Sequence, residues 1–327
     1  MLKDNYHRKI DYLRISITDR CNLRCIYCMP SQRVHLQHKE LLSYEEILKI
    51  TQLAVDCGIL RVRITGGEPF IRRGMLDFVR ELVKIKSLEE VSMTTNGILL
   101  RNFALDLKKV GLNRINVSLD TLIPEKYKKI TRVGDINQVL MGIQKAKEAA
   151  LVPVKINTVI IRGFNDNEVL DFAKLAFNDK NISIRFIEFM PLCPGNIWEK
   201  ERYVPNNELI SKISDWEPLI PISIDSKGGP AQVYRFKNGC GKIGFISPIS
   251  NHFCAKCNRL RLTADGHLRG CLFSDQEIDI CSSLRARVGD SELKKLILSA
   301  IRHKPKKHYL EQKLDNCCER PMSEIGG

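Results

Sequence analysis

Three cysteines lie close together in Cys21-Asn22-Leu23-Arg24-Cys25-Ile26-Tyr27-Cys28-Met29-Pro30, a C-x3-C-x2-C spacing with an aromatic residue before the last thiol. Cubane iron–sulfur clusters are usually held by four thiolates. Three local thiolates leave one iron without a protein ligand, and an open position is what separates a catalytic metal site from a closed structural one. A zinc loop or buried structural thiols are the alternatives. Zinc loops pair two C-x2-C units, or one such unit with histidines, and only His35 and His38 lie nearby. A second set, Cys254-x2-Cys257-x13-Cys271, taken alone reads as zinc completed by His252 or His267. Beside a first cluster, a second cluster with an open iron is the better reading. Arg259-Leu260-Arg261 follows at once, so two guanidiniums share one strand face beside that metal. Such a pair suits an anionic or nucleobase ligand.

Elements must bring these residues together. Strands are expected at 12–18, 61–65, 91–94, 114–119, 154–160 and 183–189, with helices at 44–57, 75–86, 102–110, 136–149 and 168–177. Repeated βα units imply parallel strands with helical crossovers, and six of them suit an incomplete barrel or an open doubly wound sheet better than a closed eight-strand barrel. Ligands then belong at the carboxyl ends of the strands. The first triplet follows the first strand, Thr65-Gly66-Gly67-Glu68-Pro69 the second, Thr94-Thr95-Asn96-Gly97 the third, and Ser118-Leu119-Asp120 the fourth. Lys155 and Asn157 lie on the fifth strand, and Glu188 and Met190 end the sixth. After residues 191–203, which read as a connection, Lys227-Gly228-Gly229-Pro230 and Asn238-Gly239 are turn signals between short strands. A helix is expected at 291–303, stopping before Pro305. The division is therefore a partial barrel over 1–203 and a smaller domain over 204–327.

The chain has 327 residues, 43% of them hydrophobic, which is globular composition. No apolar run reaches the roughly 20 residues of a membrane span, and the N-terminus lacks the apolar stretch of a signal peptide. A cytoplasmic protein is expected, with no membrane partner. Twelve cysteines in such a protein point to metal or redox chemistry rather than disulfides. Cys57, Cys193, Cys240, Cys281, Cys317 and Cys318 show no ligand spacing and read as packing residues. The net charge of +14, from 52 Lys+Arg against 38 Asp+Glu, suits a polyanion, either nucleic acid or a nucleoside triphosphate.

The first triplet resembles the signature of the radical S-adenosylmethionine superfamily. Within it, the ordered set of motifs resembles the GTP 3′,8-cyclase family of molybdenum cofactor biosynthesis. These motifs are the first triplet with Met29-Pro30, Thr65-Gly66-Gly67-Glu68-Pro69, Asn116-Val117-Ser118-Leu119-Asp120, Arg185-Phe186-Ile187-Glu188-Phe189-Met190, Phe253-Cys254-x2-Cys257-Asn258-Arg259 and the terminal Gly326-Gly327. The resemblance implies an incomplete (β/α)6 barrel of radical S-adenosylmethionine type with a smaller C-terminal cluster-binding domain. It implies two [4Fe–4S] clusters, one on Cys21, Cys25 and Cys28 and one on Cys254, Cys257 and Cys271. S-adenosyl-L-methionine would meet Tyr27, Gly67, Ser118 and Met190. GTP would meet Arg14, Arg63, Thr94, Lys155, Arg259, Leu260 and Arg261, with the Gly-Gly tail reaching the same site. The implied reaction is formation of (8S)-3′,8-cyclo-7,8-dihydroguanosine 5′-triphosphate, passed on to a cyclic pyranopterin synthase. A homodimer is also carried as an expectation, and the electron donor is left open.

Two rivals remain at this stage. Another radical S-adenosylmethionine enzyme with an auxiliary cluster, acting on a peptide, keeps the first triplet but has no need of a triphosphate-sized cationic set. A zinc-stapled nucleic-acid-binding protein fits the charge, but needs aromatics grouped with basic residues for base stacking. Aromatics are 7% of the chain and are not so grouped.

Overall fold

The computed structural model describes residues 2–29, 35–192, 198–223, 229–308 and 320–326. Strand and helix alternate through β1 (Tyr12–Ser16), α1 (Tyr44–Cys57), β2 (Arg61–Thr65), α2 (Met75–Val83), β3 (Glu90–Thr95), α3 (Leu100–Lys109) and β4 (Arg114–Ser118). They continue through α4 (Pro124–Thr131), α5 (Ile136–Glu148), β5 (Val154–Ile160), α6 (Val169–Asn178) and β6 (Ile182–Glu188). The chain then forms α7 (Asn206–Trp216), β7 (Leu219–Ile222), β8 (Gln232–Phe236), β9 (Lys242–Ile246), β10 (Arg259–Leu262), β11 (His267–Arg269) and β12 (Glu277–Asp279). It closes with α8 (Cys281–Arg285), α9 (Asp290–Arg302) and α10 (Met322–Ile325).

Local chemistry sets several of these boundaries. Ser43 and Glu46 form a reciprocal capping box at the start of α1, and Gly58 ends it in the left-handed conformation. Short, lysine-rich α4 was not expected from its pattern, although Pro124 occupies the first helical turn, where a missing N–H costs nothing. Helix α2 stops three residues before the expected end.

All described strands belong to one sheet in the order β12-β11-β10-β1-β2-β3-β4-β5-β6-β9-β8-β7. From β10 through β1–β6 to β9 the pairing is parallel, and antiparallel strands close both edges. The expected division after residue 203 is therefore not marked by a break in the sheet: the later chain adds β9 to one edge of the barrel and β10 to the other. A buried carboxylate ties the two portions, since Glu188 accepts from the backbone N–H groups of Asn206, Ile249 and Ser250.

The pleat sorts the side chains into two faces. Leu13, Ile15, Val62, Ile64, Val91, Met93, Ile115, Val117, Ile156 and Ile184 face the helices and form the core. The opposite, concave face is polar over β10 and β1–β4 and carries Val159, Ile187 and Ile246 on β5, β6 and β9. Register places Arg261, Arg14, Arg63, Ser92 and Arg114 in one cross-strand row, and Arg259, Tyr12, Arg61 and Glu90 in the row beside it. Asp11 pairs with Arg61 at 2.6 Å and Glu90 with Arg114, yet the two rows still hold more buried arginines than carboxylates, an excess that suits an anionic ligand. Among the described residues no helix is long and apolar enough to cross a membrane.

Candidate functional site

One cavity runs along the concave face and is lined by both cysteine triplets and the cations between them. Of the expected site residues, Cys21, Cys25, Cys28, Tyr27, Gly67, Ser118, Met190, Arg14, Arg63, Thr94, Arg259, Arg261, Cys254, Cys257 and Cys271 all line it. Two do not. Lys155 shares the cross-strand row of Thr94 and Asn116 on the same face, close enough to Arg185, Arg114 and Arg63 to feel their charges. Leu260 alternates onto the opposite face and is fully buried in the core, so only its backbone can meet a ligand.

The first triplet follows β1, and glycine contacts set its position. The N–H of Gly67 donates to the Thr18 carbonyl at 2.8 Å, and Glu68 N–H donates to Arg20 at 2.9 Å. A Cβ on Gly67 would lie 2.1 Å from the Arg20 carbonyl oxygen, so only glycine permits this approach. Glu68, fully buried, accepts from Thr95 Oγ1 at 2.8 Å and from Asn96 N–H at 2.7 Å, joining the loops after β2 and β3. Burial pushes its carboxyl up to about 7. Tyr27 donates to Asp120 Oδ2 at 2.6 Å, and burial raises Asp120 to about 6. The thiols share this environment. Burial raises Cys21 to about 11, and burial with the neighbouring thiols and Asp120 raises Cys25 well above its ordinary value.

The second triplet sits at the other end of the strands. Cys254 lies on a short turn before β10, and Cys271 follows β11. Arg259 Nη2 is 3.6 Å from the Cys257 sulfur, and its guanidinium lies over the Phe253 ring at 4.8 Å. Burial alone would raise the Cys257 thiol, but Arg259 and Lys304 pull it down to about 5. Lys304 is itself buried and donates to the carbonyls of Arg259 and Gly270. Arg8 fastens the N-terminal segment to this loop, donating to the Cys254 carbonyl at 2.9 Å and to Pro305 at 2.7 Å.

The donor set is consistent with clusters. Among the described residues no three His, Cys, Asp or Glu side chains converge on a point that one metal ion could occupy. Each triplet brings three thiols to the cavity wall, and in a multi-iron cluster different irons carry different thiolates. The Cys21 sulfur also accepts from Leu23 N–H at 3.3 Å, and Asn96 Nδ2 lies 3.7 Å from it, donors of the kind that tune cluster sulfurs. The histidines considered for zinc are placed differently. His35 is held by Asp19 at 3.0 Å and His267 by Asp265 at 3.2 Å, whereas His252 lines the cavity beside His308.

The tail reaches the same space. Ser16 Oγ donates to the Ser323 carbonyl at 3.2 Å, and Arg261 donates to the Gly326 carbonyl. Gly326 has φ 77°, and a Cβ there would meet Thr65 Oγ1 at 2.1 Å. Gly327 lies outside the described residues, as do Cys193, Cys317 and Cys318. Cys57 is half-buried, Cys240 exposed and Cys281 buried.

Several lining residues are not among the expected ligand-binding residues. Arg61, Arg114 and Arg185 occupy inward positions on strands that were expected, so strict period-two counting would have found them. Arg114 and Arg185 each bury an Nε with no hydrogen-bond partner among the described residues. Lys304 and His308 carry no such signal, because they arrive from beyond the end of α9.

Comparison with known proteins agrees with this geometry. Residues 15–176 match the family model of the radical SAM superfamily, and residues 182–310 match the one described as Molybdenum Cofactor Synthesis C. The chain is 49% identical over 329 residues to a GTP 3′,8-cyclase from Thermodesulfovibrio yellowstonii, covering 100% of both. It is 49% identical over 327 residues to the enzyme of that name from Moorella thermoacetica, again covering 100% of both. Among solved structures, Streptococcus suis SuiB bound to S-adenosylmethionine has a TM-score of 0.60 at 16% identity, covering 83% of this chain and 63% of that one. SuiB bound to its precursor peptide SuiA has a TM-score of 0.63 at 15% identity, covering 94% and 67%. At that identity the likeness is one of fold.

Proposed function

The chain belongs to the GTP 3′,8-cyclase family of the radical S-adenosylmethionine superfamily, and from that premise we propose how its side chains divide the work. It is an enzyme of molybdenum cofactor biosynthesis that uses [4Fe–4S] clusters and S-adenosylmethionine. Cys21, Cys25 and Cys28 would hold a cluster whose chemistry would be the one-electron reductive cleavage of S-adenosylmethionine, yielding the radical that would take the 3′ hydrogen of GTP. Gly67, packed against the Arg20 carbonyl, offers its backbone to the methionine end of the cofactor. Tyr27, oriented by Asp120, and Ser118 and Met190 wall the remainder.

The cationic rows serve the other substrate. Arg14, Arg63 and Lys155, helped by Arg61, Arg114 and Arg185, face the triphosphate of GTP, and Thr94 offers a hydroxyl on the same face. Charge-assisted bonds from planar guanidiniums fit phosphate oxygens well. Cys254, Cys257 and Cys271 hold the second cluster, with Arg259 and Arg261 beside the guanine and Gly326 carried in by Arg261. The division at residue 203 is then one of labour: the first portion generates the radical and the second places the guanine. The product would pass to a cyclic pyranopterin synthase.

A single observation carries this reading: two thiol triplets and a double row of buried cations line one continuous cavity. The test is anaerobic reconstitution, iron and sulfide analysis, and conversion of GTP in the presence of S-adenosylmethionine and a reductant. Near-zero iron with bound zinc would overturn it.

A further inference from the structure

We propose that the surface formed by Arg24, Lys128, Lys129, Arg132 and Val133 docks a small acidic one-electron carrier protein that reduces the site at Cys21, Cys25 and Cys28. The inference rests on the cluster assignment above. The loop carrying these cysteines is packed directly against the end of α4: Arg24 N–H donates to the Thr131 carbonyl at 3.1 Å, and Ile26 N–H donates to Ile130 at 3.0 Å. A Cβ on Gly134 would meet Tyr127 at 2.6 Å and Leu23 at 3.0 Å, so no solvent layer separates the two segments. Helix α4 buries Tyr127 and Ile130 against the loop and turns Lys128 and Lys129 outward. Exposed Arg24 is the immediate neighbour of Cys25. The outer face of the loop is thus both cationic and next to a cluster thiol.

Three features separate this face from ordinary solvated lysines. Lys128, Lys129 and Arg132 form no ion pair among the described residues, whereas nearby Lys126 is tied to Glu168 at 2.9 Å. The acids at its margins are Glu125, in the first turn of α4, and Asp135, which caps α5. Arg132 has φ 68° and ψ −36°, a backbone conformation that a non-glycine residue rarely adopts. Lys128 and Lys129 complement the dipole at the end of α4, but Arg132 lies past that end and gains little from it. Val133, 63% exposed, supplies the apolar centre that such a contact needs inside a charged rim. In the docked complex the carrier loses one electron and the cluster gains it.

The experiment uses the reconstituted enzyme and an acidic flavodoxin as probe. In a Lys128→Glu/Lys129→Glu/Arg132→Glu variant, calorimetric affinity for oxidised flavodoxin should fall at least tenfold. Bleaching of the cluster absorbance by reduced flavodoxin should slow in parallel. Iron content and dithionite-driven product formation should stay at the wild-type level, because dithionite needs no docking face. Wild-type affinity should also weaken steeply with added salt, as for steered charged partners. Arg132→Gly covers the case in which the triple variant does not fold: it relaxes the backbone, should raise Tm, and should still weaken flavodoxin binding a few-fold. Unchanged affinity and bleaching rate, or binding indifferent to salt, overturns the docking surface. Loss of iron in the wild type overturns the cluster assignment instead.

Discussion

The two cysteine triplets share a cavity but sit in opposite electrostatic surroundings. The first is flanked by the buried carboxyls Glu68 and Asp120, and burial holds Cys21 up near 11. The second is flanked by Arg259 and Lys304, which bring Cys257 down to about 5. Metal must therefore displace protons from Cys21 and Cys25, and burial raises the Cys254 thiol too, whereas Cys257 is drawn toward the thiolate. The difference also sorts the ligands. A sulfonium is a cation and suits the end crowded with thiols and carboxyls, whereas a nucleoside triphosphate is a polyanion and suits the end lined with guanidiniums.

The sharpest way to break this comparison is to remove one thiol from each set. Cys25→Ala should abolish 5′-deoxyadenosine release after anaerobic reconstitution, a loss of at least about a hundredfold, because the open-iron site can no longer form. Release at the wild-type rate would show that the first triplet does not generate the radical. Cys257→Ala should keep the first cluster and measurable S-adenosylmethionine cleavage while losing cyclised product. Normal product from that variant would make the second triplet structural. If both variants lost cleavage equally, the two ends would not be separable.

A smaller effect is expected from the arginine pair on β10. Arg259 and Arg261 both line the cavity, and removing a charge-assisted contact costs on the order of 1.5–3 kcal/mol, roughly ten- to a hundredfold in affinity. Arg261→Lys keeps the charge but loses the planar fork, and it should also loosen the Gly326 carbonyl. GTP calorimetry on Arg259→Ala and Arg261→Lys, with iron content as the control, measures this. Wild-type affinity in both would leave the second end without its proposed role.

Much of this arrangement was legible in the residues themselves. Strands β2 and β5 and helix α1 coincide with their expected limits because alternation, the Ser43 capping box and Gly58 all mark them locally. The cysteine spacings are also local, so both triplets were visible. The continuity of the sheet was not. Pairing of β10 with β1 joins segments nearly 250 residues apart, and no short-range pattern encodes that contact. For the same reason the row Arg261–Arg14–Arg63 could be named residue by residue but not seen as a row. Leu260 differs from its two neighbours: alternation turns its side chain into the core, so within the run Arg259-Leu260-Arg261 it can meet a ligand only through its backbone. Lys304 and Arg8, which brace the second triplet, carry no motif at all.

The finest test lies between the two ends, at Lys155. Burial, with Arg185, Arg114 and Arg63 close by, lowers its amine to about 6. In the ligand-free enzyme it is therefore mostly neutral at about pH 7.5, and a triphosphate beside it favours the charged form. The sign follows from linkage. The bound state holds more protons than the free state between the two pKa values, so GTP binding takes up a proton. Affinity then falls as pH rises from about 6 toward the bound-state value, by at most roughly tenfold per pH unit. Calorimetry in buffers of different ionisation enthalpy should give an uptake of up to about one proton per GTP. The γ-phosphate titrates in the same range, so the quantity that matters is the difference between wild type and Lys155→Met. That difference should be a net uptake that vanishes below about pH 6, where the free amine is already charged. Equal proton counts in the two proteins would mean that Lys155 stays charged or never meets the triphosphate, and the cationic face would then have to be read without it.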